Sequence, residues 1–268
     1  MRPEPRRLTC EEQLRLAQGR LRHILDNYIK AEAEVFALEQ GRFRVVIFGS
    51  ARIQAHDIIY RSIYNIAHAL AEHGIDIITG GGPGLMEAAN SGITDVVERI
   101  SRSYGLPIDL PFIEEPANKH LEIKSSHRRF TSRLDEFMRL SNAVVVAPGG
   151  IGTMLEMIYV WQLLQVGLTN DRPMILLGRE TWGGLLSWMQ EVLLPHDYIG
   201  LSDFRWIKLV DTEQEVIDLV LRAQQCFQEE MSAGAEPEEE TDRIVTAEVM
   251  AYGTPPTEFT EEGGTVES

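Results

Sequence analysis

Arg44-Val-Val-Ile-Phe48 and Ile75-Asp-Ile-Ile-Thr79 are short β-branched runs, and the residues between them, from about Ile58 to His73, carry apolar side chains at helical spacing. Strand, helix, strand is a βαβ unit, and strands joined by a crossover helix lie parallel. The alternation continues: strands fit Pro107 to Leu110, Ala143 to Ala147, Met174 to Leu177 and Trp206 to Val210. Helices fit Gly84 to about Tyr104, Arg128 to Leu140, Thr153 to Gln165, Trp182 to Leu193 and Glu213 to Phe227. With right-handed crossovers and no internal repeat, the order predicts a Rossmann-like, doubly wound, mostly parallel α/β sheet with flanking helices over residues 42–228.

Two appendages flank this body. Residues 1–41 read as a helical extension, with Thr9-Cys-Glu-Glu12 as a capping box and Leu14, Leu21, Leu25, Tyr28, Ile29, Val35 and Phe36 as its apolar stripe. Residues 229–268 hold twelve acids against Arg243, a net of −11 out of the chain's −16, and are predicted to be disordered. The body is therefore nearly balanced, which suits a small phosphorylated ligand, while the absence of a basic run argues against a nucleic-acid polymer. No apolar stretch reaches the roughly 18 residues of a membrane span, and the first residues lack a signal core. Cys10 and Cys226 are too few for a disulfide framework, so the reading is a cytoplasmic protein away from membranes.

Open parallel sheets bind ligands beyond the carboxyl ends of their strands. Two glycine-rich turns stand there, Thr79-Gly-Gly-Gly-Pro-Gly-Leu-Met86 and Pro148-Gly-Gly-Ile-Gly-Thr153, each running into a predicted helix. Glycines let backbone N–H groups face an anion at a helix N-terminus, so two such loops imply two sides of one phosphorylated ligand. Neither loop contains G-x-G-x-x-G, and the second strand ends in Thr79-Gly80 rather than a ribose-binding acid, which disfavours NAD. No Gly-Lys pair exists for a Walker loop, and the seven histidines show no metal-ligand spacing. No metal and no cofactor are expected.

Together, Phe48-Gly-Ser-Ala-Arg52, Gly80-Gly-Gly-Pro-Gly-Leu-Met-Glu-Ala-Ala89, Arg133 and Pro148-Gly-Gly-Ile-Gly-Thr-Met-Leu-Glu156 resemble the LOG family of phosphoribohydrolases, long mislabelled lysine decarboxylases. The resemblance covers roughly residues 42–225. Arg133-Leu-Asp-Glu-Phe-Met-Arg-Leu140 looks more like the bacterial nucleotide 5′-monophosphate nucleosidases than the plant cytokinin-activating enzymes, since Leu134 and Leu155 stand where cytokinin-type members usually carry lysine and an acid.

What the resemblance implies is hydrolysis of the N-glycosidic bond of a nucleoside 5′-monophosphate, giving free base and ribose 5-phosphate, by a homodimer. It makes Arg133 and Glu156 the catalytic pair. Gly81, Gly82, Gly84, Gly149, Gly150, Gly152 and Thr153 are then the phosphate and ribose contacts, with Ser50 and Glu87 as secondary candidates. Cleavage builds positive charge on the ribose, which a carboxylate beside the sugar opposes while taking a proton from the attacking water. His127-Arg128-Arg129 is a candidate basic rim, and Trp161, Trp182, Trp188 and Trp206 read as core or interface. The long amphipathic helix before the first strand, together with the apolar segment from Met157 to Leu164, offers surface for the dimer. Two rivals exist: a non-hydrolytic nucleotide or molybdenum-cofactor carrier of the same fold, which has no need of the Arg133 and Glu156 pair, and a pyridoxal-phosphate lysine decarboxylase, for which no lysine adjoins either glycine loop.

Overall fold

The computed structural model describes residues 18–22, 25, 41–109 and 116–233. Residues 18–22 are helical; the rest of the predicted N-terminal helix and the acidic tail beyond residue 233 lie outside the described residues. Strands β1 (Arg44–Phe48), β2 (Asp76–Thr79), β3 (Ser103–Gly105), β4 (Ile123–Lys124), β5 (Ala143–Val146), β6 (Met174–Leu177) and β7 (Ile207–Val210) form one sheet ordered β4-β3-β2-β1-β5-β6-β7. Every neighbouring pair is parallel. The chain winds outward from β1 to β4, then returns to lay β5 on the free side of β1. The order reverses there, and a crevice opens at such a reversal.

β1, β2, β5 and β6 are buried along their whole length, as strands covered on both faces must be, which explains their near-continuous apolar sequence. Alternate residues of β1 feed opposite cores. Val45 and Ile47 pack with α1 (Ile58–Glu72), α2 (Leu85–Thr94) and α6 (Glu213–Ser232). Val46 and Phe48 pack with α3 (Phe130–Leu140), α4 (Ile151–Val166) and α5 (Arg179–Trp188). Trp161, Trp182 and Trp206 are buried in this second core, whereas Trp188 is half exposed. Met157, Val160, Trp161 and Leu164 are buried there too, so half of the segment expected to offer dimer surface faces inward, while Ile158 and Gln162 are exposed.

Two buried charges brace the frame. Asp76, fully buried where β2 begins, accepts Arg42 Nε at 2.7 Å and Arg102 N–H at 2.8 Å, with Arg44 Nε at 3.6 Å. Arg172 donates to Met138 O at 2.8 Å and to Ser141 O, satisfying carbonyls at the C-terminal end of α3. That contact anchors the helix that carries Arg133.

The structure corrects several predicted boundaries. The helix expected from Gly84 to Tyr104 ends at Thr94, and residues 103–105, inside that span, are β3 instead. Ser-Tyr-Gly lacks a strand-like apolar pattern; it is strand because Ile77 N–H pairs with Arg102 O and the Glu122 carboxylate accepts Ser103 N–H. Of the strand expected from Pro107 to Leu110, residue 110 lies outside the described residues, and 107–109 contribute one isolated bridge, Ile108 with His127. Pro107 has no N–H to give a ladder. α5 begins at Arg179 and gives way to a π-helical turn, Met189–Leu193. α6 runs on to Ser232, so the expected body boundary at residue 228 falls inside a helix.

Candidate active site

Three chain crossings meet beyond the carboxyl ends of β1, β2 and β5. Ser50, just past β1, donates its N–H to Pro148 O at 3.1 Å and accepts Leu85 N–H on its own carbonyl at 3.0 Å. One residue thus ties the turn after β5 to the start of α2. Gly84, in the second strand's loop, has φ +70, and a Cβ there would stand 2.5 Å from Ser50 O, so only glycine fits this crossing. The loop after β5 opens α4, whose backbone N–H groups begin at Ile151. Thr153 is buried in its first turn, its Oγ1 so close to Gly149 that a Cβ on the latter would lie 2.1 Å away. Gly150 and Gly152 are exposed, with no atom within 4 Å of where a Cβ would stand.

Arg133 projects from α3 into this corner. It is 7% exposed, and a buried cation needs partners. Its Nε donates to Leu106 O at 2.6 Å, its Nη2 reaches Gly80 O at 3.5 Å, and its guanidinium lies 5.2 Å from the Phe137 ring centroid. Nη1 stands 3.6 Å from Glu156 Oε1, a looser spacing than a bidentate pair. Glu156 lies three residues beyond Thr153 on α4, on the same side of the helix. The pair is therefore largely desolvated, held by two different helices, and adjacent to both glycine turns.

Some predicted site residues are brought together and others diverge. Arg133 meets Glu156, Gly149 meets Thr153, and Ser50 meets the loop of Gly84. Glu87, in the first turn of α2, instead adds its negative charge to the effect of burial in raising the Tyr60 hydroxyl above its ordinary pKa. His127 is lowered below the usual histidine range, chiefly by burial and further by the positive charge of Arg133, against an opposing pull from Glu136. Arg128 and Arg129 are exposed.

Sequence reasoning passed over Gly80, Asn90 and Asn118. A Cβ on Gly80 would sit 2.1 Å from Arg133 Nη2, so this glycine makes room for the cation. Asn118 N–H donates to Gly81 O at 2.8 Å and its Nδ2 to Gly82 O at 2.9 Å. Nothing in spacing or pattern links residue 118 to residue 82. The same fold-back puts Lys119 next to a residue bonded to the first glycine loop, nearer than its place in the sequence suggests. Among the described residues, no three His, Cys, Asp or Glu side chains converge as a metal site would require.

Against known proteins, residues 86–220 match the family described as "Possible lysine decarboxylase". The chain is 29% identical over 140 residues to the pyrimidine/purine nucleotide 5′-monophosphate nucleosidase of Escherichia coli K12, covering 50% of this chain and 30% of that protein. It thus spans under a third of the length of that relative. A probable cytokinin riboside 5′-monophosphate phosphoribohydrolase of Oryza sativa subsp. japonica is 26% identical over 186 residues, 67% of this chain and 84% of the relative. The solved molybdenum cofactor binding protein of Rippkaea orientalis superposes with a TM-score of 0.50 at 19% identity, over 68% of this chain and 96% of that one, a likeness of fold. With the motifs and the match spanning half its length, the chain belongs to the family described as "Possible lysine decarboxylase", the LOG family.

Proposed function

We propose that the protein hydrolyses the N-glycosidic bond of a nucleoside 5′-monophosphate. The observation that carries this reading is the largely buried Arg133 and Glu156 pair, 3.6 Å apart beside two glycine loops at the sheet's reversal point. In this reading the phosphate rests on the N–H groups that open α4 and on the Thr153 hydroxyl. The ribose then lies over Glu156, so one rigid helix fixes both the phosphate and the reacting carbon. Glu156 accepts a proton from water as its oxygen bonds to the anomeric carbon. The carbon–nitrogen bond breaks, the base leaves with the electron pair and takes up a proton from solvent while Glu156 returns its own to solvent, and ribose 5-phosphate remains. The carboxylate's charge opposes the positive charge that builds on the sugar in between. Arg133, held from behind by the carbonyls of Leu106 and Gly80, orients Glu156 and faces the anionic substrate.

Incubation of the purified protein with a panel of nucleoside monophosphates, with chromatography for free base, tests this. Release of base from at least one nucleotide is expected. Release from none, with tight binding of one, would replace hydrolysis by a carrier role.

A further inference from the structure

Beneath the first glycine loop lies a closed ring of polar groups, all buried except the half-buried Asn118. Gly81 N–H donates to Thr79 Oγ1 at 2.9 Å, and Thr79 Oγ1 donates to Asn90 Oδ1 at 2.6 Å. Asn118 Nδ2 donates both to that same Asn90 Oδ1, at 3.0 Å, and to Gly82 O, at 2.9 Å. Asn90, fully buried on α2, spends its own Nδ2 on Ser103 Oγ at 2.8 Å and Tyr104 O at 3.3 Å, so all its hydrogen-bonding capacity is committed. Asn118 Oδ1 in turn accepts His120 N–H at 3.0 Å. A ring with every member satisfied is stiff, because no one group can turn without orphaning its neighbour in a low-dielectric interior.

The ring holds residue 118 against the loop, and the backbone N–H of Asn118 then sets the direction of the loop's amides. In a trans peptide the carbonyl of one residue and the N–H of the next point to opposite sides, and no described peptide is cis. Gly81 N–H is taken by Thr79. Gly81 O is pinned to Asn118 N–H, which turns Gly82 N–H the other way, away from Asn118. Position 83 is proline and has no N–H to offer. We infer that Asn118 is a positioning residue that, through Asn90 and Thr79, aims the Gly82 N–H at the substrate's phosphate. Gly82 then acts as an anion donor, whereas Gly81 serves the ring. This rests on the phosphoribohydrolase reading for the identity of the anion, but not for the geometry of the loop.

Four variants and three readouts test it. Asn118→Ala removes the Nδ2 donors, and Asn118→Asp sets an acceptor against Gly82 O and Asn90 Oδ1. Thr79→Val deletes the hydroxyl at nearly constant volume, and Thr79→Ser restores it. Steady-state kinetics with AMP, or the best nucleotide of the panel, should show KM raised about tenfold in the first three with kcat within about threefold, the loss expected when one charge-assisted hydrogen bond is misaimed. Calorimetric binding of ribose 5-phosphate should weaken by the same factor, while Thr79→Ser behaves as the parent protein. Should Asn118→Ala fail to fold, the Thr79 pair decides alone. Unchanged KM and unchanged ribose 5-phosphate binding would overturn the inference and leave the hydrolase reading standing. So would a fall in kcat and melting temperature with KM intact, which marks a purely structural ring. If the parent hydrolyses no nucleotide yet binds ribose 5-phosphate in an Asn118-dependent way, the inference stands and the hydrolase reading falls. Parent protein that neither binds ribose 5-phosphate nor turns over any nucleotide sinks both.

Discussion

The two glycine loops look alike in sequence and are opposite in construction. The loop after β2 is buried, has positive φ at Gly81 and Gly84, and is pinned by the side chains of Thr79, Asn118 and Arg133. Its glycines are there for the chain: a Cβ at Gly80 would strike Arg133 and one at Gly84 the backbone of Ser50. The loop after β5 is open. Gly150 has φ −100, a value any residue adopts, and a Cβ there or at Gly152 would meet nothing. Glycines without a structural need at the N-terminus of a helix suit the phosphate contact proposed above.

The chemistry proposed here divides along the same line, and its largest expected effect lies on the open side. Glu156→Gln keeps the shape of the side chain and removes its charge, so nucleotide binding should persist while kcat falls by about 10²-fold to 10⁴-fold. Arg133→Ala should lower kcat and weaken binding together. The double variant should be barely worse than Glu156→Gln alone, as expected of groups that act as a unit. Retention of most of the parent's kcat by Glu156→Gln would remove that carboxylate from the mechanism.

On the buried side the sharpest probe is Gly80→Ala. The new methyl would sit 2.1 Å from Arg133 Nη2 and 2.7 Å from Met86 Sδ. Arg133 has to leave its seat, and overpacking of this sort costs about 1–3 kcal/mol. Both melting temperature and kcat should drop, and the drop in kcat should approach that of Arg133→Ala. A protein with normal activity and a normal melting point would show that Arg133 does not depend on this seat. Gly84→Ala should be milder for chemistry yet similar for folding, since it meets both a left-handed φ and the Ser50 carbonyl at 2.5 Å. Denaturant titration should report a loss of roughly 1–3 kcal/mol.

How much of this could be read from the residues follows from what each feature depends on. The fully buried strands were legible because burial on both faces writes itself as near-continuous apolar runs such as Val45-Val-Ile-Phe48 and Met174-Ile-Leu-Leu177. β3 was not, because Ser103-Tyr-Gly105 is strand by virtue of its partners in β2 and Glu122, which lie 19 or more positions away. In the site, the motif residues and the expected meeting of Arg133 with Glu156 come from the resemblance to the LOG family. The seat of Arg133 on Leu106 O and Gly80 O does not, because backbone carbonyls leave no mark in a sequence. Asn118 escaped for a further reason: it acts through two carbonyls and one buried amide, from a connection with no periodic structure of its own.

The smallest effect is the one that most directly separates the loops. Gly150→Ala adds a methyl where the empty protein has only open space, at a φ that alanine accepts. Losing a glycine also reduces the freedom of the unfolded chain, so the melting temperature should stay level or rise slightly. The N–H groups at the start of α4 remain in place, but the methyl now stands where a phosphate approaching them must pass. KM for the nucleotide should therefore rise several-fold, with kcat changed less, because once bound the sugar still lies over Glu156. Ribose 5-phosphate, measured by calorimetry, should lose affinity by a similar factor. The same substitution in the buried loop, at Gly84, lowers stability first. If Gly150→Ala instead lowered the melting temperature as Gly84→Ala does, with no change in KM, the open loop would be a structural turn like its counterpart, and the phosphate would have to be held elsewhere.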